Sequence, residues 1–187
     1  MTPREAPLRR DVVATQDQVV IHAERMALRP VRRSDMGLIE LYASDRRVAE
    51  MTAGIPHPLP PGATDAYVSR CMTGSPELVW ALDASSFGLG EVVGIVSLRP
   101  MDRRQSEIGY WVAPLVWNTG LATEAVRALM EANPLGDLQT FGKVFQDNPA
   151  SARVLTNAGF DYIGDAEAFC VARGAVQPQW TYIRQMR

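Results

Sequence analysis

A change of hydrophobic period between residues 108 and 130 constrains this chain more than any other feature. Ile108 to Val112 is a short apolar run of strand character, ended by Pro114. From Ala122 the pattern is helical, with Ala122, Val126, Leu129 and Met130 on one face. Between the two lies Gly120, a position without a Cβ where a ligand can approach the backbone or φ can turn positive. A helix starting here leaves its first amide N–H groups unpaired and directs the positive end of its dipole into the loop. Such an N-terminus is an anion site, and phosphate is the usual anion. A glycine needed only for a tight turn would leave the same trace, so the stretch has to be read with its neighbours.

The whole chain sets the frame. Its 187 residues suffice for one domain with a sizeable core, expected over residues 19–187 behind a polar, arginine-rich tail at residues 1–18. With 19 Lys and Arg against 21 Asp and Glu, the charge balance excludes a nucleic-acid-coating protein and predicts no direct nucleic-acid partner. No apolar run approaches the ~20 residues of a membrane span. Met1 to Arg10 is charged, with no apolar segment behind it, and so does not read as a secretory signal. Cys71 and Cys170 are too isolated for a disulfide framework or a metal site. These features predict a cytoplasmic protein without a metal or a membrane partner.

Taken in order, Arg25 to Pro30 predicts a first strand, and Ser34-Asp35 starts a helix expected to run to about Met51. Thr52 to Gly62 is too rich in proline and glycine for regular structure and predicts a rigid loop. A short helix, Thr64 to Met72, follows. Strands are expected at Glu77–Asp83, Glu91–Leu98 and Glu107–Val112, in an antiparallel meander. The tip between the last two, Arg99 to Gln105, reads either as a solvated edge or as a surface steering an anionic partner such as an acidic peptide or a ribosomal surface. Asn133-Pro134 ends the helix from Ala122, and Thr140–Phe145 should run parallel to Glu107–Val112 because a helix connects them. Asn148-Pro149-Ala150-Ser151 opens another helix, with Asn148 as N-cap and Pro149 as its first residue, and Gly159 stops it. Asp161–Gly174 and Trp180–Arg184 complete the strands. The last, Trp180 to Met186, could finish the sheet or pair across a dimer, leaving monomer and homodimer both open.

Two strings carry a family resemblance. Ile108-Gly109-Tyr110-Trp111-Val112-Ala113-Pro114 followed by Trp117-x-x-Gly120-x-Ala122-Thr123-Glu124-Ala125 resembles the acyl-CoA-binding segment of the GNAT superfamily of N-acetyltransferases. It is most similar to the branch that includes the ribosomal-protein N-terminal acetyltransferases. Asn148-Pro149-Ala150-Ser151, a short helix and Gly159-Phe160 resemble that family's second motif. The resemblance spans roughly Arg25 to Met186. It implies a mixed α/β (α+β) single domain, with a twisted, mostly antiparallel sheet flanked by helices and central strands that splay to admit the co-substrate. It also implies acetyl transfer from acetyl-CoA to a primary amine by direct attack on the thioester, with a protein N-terminus favoured slightly over a small-molecule amine. The alternative is an acyl-CoA-binding sensor or partner module with little transferase activity.

By that resemblance acetyl-CoA contacts Trp111, Val112 and Ala113 along the strand. The amides of Asn118, Thr119, Gly120, Leu121 and Ala122, with Thr123 beside them, hold the pyrophosphate, and Asn148 and Ser151 also touch the co-substrate. The amine must lose a proton before it attacks. Glu107 is the best carboxylate for this, at the start of the strand where relatives often have Glu and, by alternation, on one face with Gly109 and Trp111, although a glutamate there is equally a plain surface-edge residue. His57 is the other candidate base, through imidazole chemistry, although a proline-flanked loop histidine is equally a plain surface residue. Gly54, Ile55 and His57 are the candidate acceptor contacts. Many family members carry a tyrosine acid seven residues after the motif asparagine, where this chain has Leu155. Ser151 matches a serine given that task in the resembled branch, and it equally suits holding the pantetheine or capping the helix. Relatives also carry Lys or Arg where this chain has Asn118-Thr119, so the phosphates depend on backbone amides and on remoter arginines such as Arg153 or Arg127.

Overall fold

The computed structural model describes residues 18–186. Its strands are β1 (Ile21–His22), β2 (Ala27–Pro30), β3 (Leu78–Asp83), β4 (Gly94–Met101), β5 (Gln105–Val112), β6 (Gln139–Phe145), β7 (Asp161–Cys170) and β8 (Ala175–Gln185). They form one sheet ordered β1-β2-β3-β4-β5-β6-β8-β7. Every neighbouring pair is antiparallel except β5 and β6. The helix α4 (Leu121–Ala132) joins those two, and a crossover of that kind brings the chain back in its original direction.

The parallel pair is short. β5 and β6 are in register only from Gln105 opposite Gln139 to Ile108 opposite Gly142. β5 runs on to Val112 held by β4 alone, while β6 runs on to Phe145 held by β8. The strands therefore part after Ile108 and Gly142, which gives the splayed centre of the sheet. Helix α5 (Pro149–Asn157) packs behind the parting and sends Leu155, fully buried, against Gly142. A Cβ on Gly142 would lie 2.8 Å from Leu155 Cδ1 and 3.0 Å from Cδ2, so the leucine occupies the space a side chain would need.

Alternation along the strands divides the core between two faces. Trp80, Leu82, Val96, Leu98 and Ile108 pack with Leu121, Val126 and Leu129 of α4 and Leu155 of α5. Val79, Ala81, Val92 and Ile95 pack on the other side with Ile39 of α1 (Met36–Ala43) and Val68 of α3 (Ala63–Thr73). Tyr110 and Val112 belong to the first face and Trp111 to the second. No helix among the described residues is long and apolar enough to cross a membrane.

Several boundaries differ from expectation. The helix expected from Ser34 to Met51 is a 3-10 turn at Arg33–Asp35, then α1, then a separate α2 (Arg46–Ala49). Asp45 breaks it: its backbone is extended, and its side chain accepts from Arg47 N at 2.9 Å, a local bond that competes with the helical ladder. Asp35 accepts from Arg32 N at 2.7 Å and also pairs with buried Arg29, which reaches Asp83 as well. The strand expected at Glu91–Leu98 is shifted to Gly94–Met101. The arginine tip is correspondingly shorter, since Arg99 lies within β4 opposite Glu107 and Arg104 donates to Gly136 O. The final hairpin turns at residues 171–174, so β8 begins at Ala175 rather than Trp180. β8 is paired on both sides, and the sheet edge is β7 rather than the terminal strand. The expected tail lies outside the described residues except for Gln18, whose amide donates to Val79 O at 2.9 Å.

Gly142→Ala overpacks the contact with Leu155 and should cost about 1–3 kcal/mol of stability in chemical denaturation. Adding Leu155→Val should return part of that loss. Additive losses in the double variant would show that the two positions do not share the space.

Candidate active site

Beyond Ile108 the unpartnered end of β5 faces α5 across a cavity of about 590 Å3. Tyr110, Trp111 and Val112 form its strand wall, and Asn148, Ala150, Ser151, Arg153, Val154 and Asn157 its helical wall. Val116, Trp117, Asn118, Gly120, Ala122 and Thr123 at the start of α4 complete the lining, together with Arg47, Val48, Met51 and Thr52.

The loop into α4 owes its shape to two left-handed residues, Asn118 at φ 60° and Gly120 at φ 83°. Asparagine tolerates that region and glycine occupies it without a Cβ penalty. Thr119 Oγ1 donates to Val116 O at 2.6 Å, and Trp117 Nε1 donates to Val112 O at 2.9 Å, tying the loop to the strand. Arg25 braces it from outside: Nε donates to Glu124 Oε2 at 2.7 Å and Nη1 to Thr119 O at 3.1 Å. The start of α4, whose first-turn amides have no partner within the helix, thus borders the cavity on a loop held at both ends, the arrangement that suits a phosphate.

Beside this loop the lining carries a cation. The Arg47 guanidinium sits 5.3 Å from the centre of the Trp117 ring and is oriented by Asp45 through bonds of 2.6 and 3.0 Å. The hydrogen bond from Arg47 holds the Asp45 carboxyl below its ordinary range, against the opposing effect of desolvation. Beyond Arg47 the wall is fixed by the β7–β8 turn. Arg173 Nε donates to Glu50 O at 2.8 Å, Val171 N donates to Ala53 O at 3.0 Å, and Arg173 Nη1 pairs with Asp147 at 2.6 Å.

At the start of α5, Asn148 Oδ1 accepts from Ser151 N at 3.2 Å as the expected N-cap. Ser151 Oγ donates to Tyr110 Oη at 2.8 Å, and Tyr110 Oη donates to Ser151 O at 2.8 Å. Burial pushes the Tyr110 phenol well above its ordinary range, and the bond from Ser151 only partly offsets this.

Of the residues singled out from sequence, Trp111, Val112, Asn118, Gly120, Ala122, Thr123, Asn148 and Ser151 line this one cavity. Ala113 and Leu121 are buried in the core, and Thr119 is turned to Val116. Glu107 is not on the cavity wall. Its carboxylate lies between Arg99 Nη2 at 3.0 Å and Lys143 Nζ at 2.9 Å, on the face of β5 that carries Trp111. Gly54, Ile55 and His57 also lie off the wall, which takes Met51 and Thr52 from the start of their loop, and His57 Nδ1 is buried with no partner among the described residues. Arg153 lines the cavity, while Arg127 is turned to Asn157 O at 2.9 Å. Tyr110, Arg25 and Arg47 are the site residues that sequence reasoning missed. Only Tyr110 left a signal: alternation turns it inward, and a buried phenol has to find a hydrogen-bond partner.

Residues 25–161 match the family model described as the acetyltransferase (GNAT) domain. Among solved structures, Mycobacterium smegmatis RimJ in complex with CoA-disulfide is 20% identical, with a TM-score of 0.74 over 89% of this chain and 87% of that one. Ribosomal-protein-S5-alanine acetyltransferase from Vibrio fischeri is 18% identical, with a TM-score of 0.71 over 90% and 97%. Spermidine N-acetyltransferase from Vibrio cholerae, in complex with CoA and spermine, is 16% identical, with a TM-score of 0.73 over 87% and 96%. At these identities the likeness is one of fold. No curated protein sequence matches the chain.

Arg25→Ala removes the side-chain bonds to Thr119 O and Glu124 Oε2 and leaves only the 2.6 Å bond from the main-chain N–H of residue 25 to Glu124 Oε1. Acetyl-CoA affinity should fall about five- to tenfold in calorimetric titration, the equivalent of one ordinary hydrogen bond. The melting temperature should move little, because the pair is partly exposed. Unchanged affinity would mean that the loop keeps its shape without Arg25.

Proposed function

The chain belongs to the GNAT acetyltransferase family, and from that membership we propose that it moves the acetyl group of acetyl-CoA onto the α-amine of a polypeptide N-terminus. The observation that carries this reading is the continuity of the cavity. The start of α4, the free end of β5, the start of α5 and Met51 with Thr52 all line one cavity, which is what a long phosphate-headed thioester and its acceptor would share. Past Ile108 the edge of β5 has no partner strand, so its main-chain groups other than Val112 O, which accepts from Trp117 Nε1, are open to an amide-bearing arm, much as a sheet edge takes up an added strand.

For the acceptor, the charge of the lining favours a peptide. Arg47 and Arg153 line the cavity and no carboxylate does among the described residues. The nearby Glu107 is already paired with two cations. A polyamine brings several ammonium groups that this wall would repel, whereas a neutral or acidic chain carrying a single terminal amine meets no such penalty. The fold neighbours named for ribosomal-protein acetylation support this reading, and the spermidine enzyme of the same fold marks the alternative.

In the reaction, Glu107 takes the proton of the incoming ammonium, directly or through water, from the face of β5 that carries Trp111. The lone pair so released attacks the thioester carbon. A main-chain N–H near Val112 donates to the oxyanion as it forms, and collapse breaks the C–S bond with its electron pair on sulfur. Gly54, Ile55 and His57 extend the acceptor wall outward from Thr52.

The test is release of free CoA thiol from acetyl-CoA, with short peptides of varied N-terminal residue set against polyamines, amino acids and aminoglycosides. Release with peptides and a mass increase at their N-termini is the expected result. Release with polyamines alone would overturn the acceptor class. Acetyl-CoA that raises the melting temperature without any release would favour a binding module. Glu107→Gln should lower kcat about a hundredfold or more, as expected on losing a general base, with acetyl-CoA affinity little changed. Undiminished turnover would remove Glu107 from the mechanism.

A further inference from the structure

A serine hydroxyl beside a thioester has two possible roles: it can give its proton to the departing sulfur, or it can accept a hydrogen bond from the acyl carrier. The direction of the bonds around Ser151 distinguishes them. A main-chain carbonyl can only accept, so the 2.8 Å contact between Tyr110 Oη and Ser151 O places the phenolic proton on that line. The phenolic oxygen is left with lone pairs, and its 2.8 Å contact with Ser151 Oγ therefore uses the serine proton. The main-chain N–H of Ser151 is committed to Asn148 Oδ1 at 3.2 Å. Every proton on a polar atom of Ser151 is thus directed at the protein itself. What Ser151 has left to offer the cavity it lines is the remaining acceptor capacity of Oγ.

We propose that Tyr110 is a positioning residue, which locks Ser151 as a hydrogen-bond acceptor for an amide N–H of the pantetheine arm, and that Ser151 is not the source of the thiolate's proton. This rests on the acetyl-CoA reading given above. For Ser151 to donate to sulfur it would have to abandon Tyr110 and leave a half-buried phenolic oxygen without its donor, which is the costly direction for a polar group out of water. The phenol is a poor substitute acid, because burial holds its proton more tightly than in water. The same effect keeps Tyr110 protonated at neutral and mildly alkaline pH, so the orientation it imposes persists there. No second phenol takes its place from α5, where Leu155 is fully buried against Gly142. The sulfur leaves with the electron pair of the C–S bond and takes a proton from solvent, which receives in turn the second proton that the nitrogen loses after attack and, by way of Glu107, the first.

The variants Tyr110→Phe, Ser151→Ala and their combination test this, with steady-state rates measured for both substrates across neutral to alkaline pH. Tyr110→Phe keeps the ring and Ser151→Ala keeps the helix, and thermal melts verify that each is folded. Each single variant should raise KM for acetyl-CoA about three- to tenfold, the size of one hydrogen bond, with kcat and its alkaline limb unchanged. The double variant should be no worse than Ser151→Ala alone, since the two residues act as one unit. A fall in kcat at unchanged KM, or an altered alkaline limb in Ser151→Ala, would make Ser151 the acid and overturn the proposal. Additive effects in the double variant would overturn it too, by separating Tyr110 from Ser151. Failure of the acetyl-CoA reading is distinguishable, because it would appear in the unaltered protein as neither binding nor turnover.

Discussion

Everything in the site follows from the parting of two parallel strands. β5 and β6 share four residues of register and then separate, although each continues well past the last pair. A sheet does not give up ladder bonds for nothing, since each open N–H or C=O needs another partner. Here the outer edges of both strands remain fully engaged, β5 with β4 and β6 with β8, so the loss is confined to the inner edges. The inner edge of β5 borders the cavity, where water or an amide-bearing ligand can satisfy it. Leu155 makes the parting local. Packed on the bare backbone of Gly142, it fills the angle between the strands at the point where pairing stops.

The wall around Arg47 is assembled from elements far apart in the chain. Arg29, only 4% exposed, donates to both oxygens of Asp35 at 2.8 and 2.9 Å and to Asp83 at 2.7 Å. It thereby joins β2, the start of α1 and the end of β3. Two carboxylates against one guanidinium, with Glu91 O accepting as well, satisfy the buried charge in the way a desolvated ion requires. The hydrogen bond to Asp35, with support from Asp83, holds the Arg29 proton more tightly than usual despite desolvation. From that anchor the chain runs through α1 into α2, which brings Arg47 and Val48 to the cavity wall, and Arg173 donates to Glu50 O just after it. Asp45 and the Trp117 ring then fix the Arg47 guanidinium.

Much of this was legible in the sequence where it depends on neighbouring residues. Gly120 needed its left-handed φ, Asn148 capped its own helix, and the crossover by α4 dictated a parallel pair. What was not legible depends on contacts across the fold. Nothing around Asp45 shows that its bond to Arg47 N will outcompete a helix that the apolar spacing of Leu38, Leu41 and Tyr42 supports. Arg25 and Arg47 stand 94 and 70 residues from the loop elements they touch, Thr119 and Trp117, so no local pattern could connect them. Glu107 shows the same limit from the other side. Strand alternation placed it on the correct face, but its pairing with Lys143 requires β6 to lie beside β5.

The clearest case is the exchange between Leu155 and Tyr110. Read along the chain, Leu155 is a missing phenol, and a site of this family without it looks impaired. In the fold, a side chain at Leu155 points at Gly142 and the parting strands, where a hydroxyl would have to be desolvated among Ile108 and other buried carbons. A leucine there stabilises the wedge. The phenol instead comes from β5, where strand alternation turns Tyr110 toward α5 and the first turn of that helix supplies both a carbonyl and a hydroxyl. The aromatic hydroxyl is thus present in the site but attached to a different element and facing Ser151. Its chemistry changes with its attachment, because a phenol engaged by a main-chain carbonyl orients its neighbour and keeps its own proton.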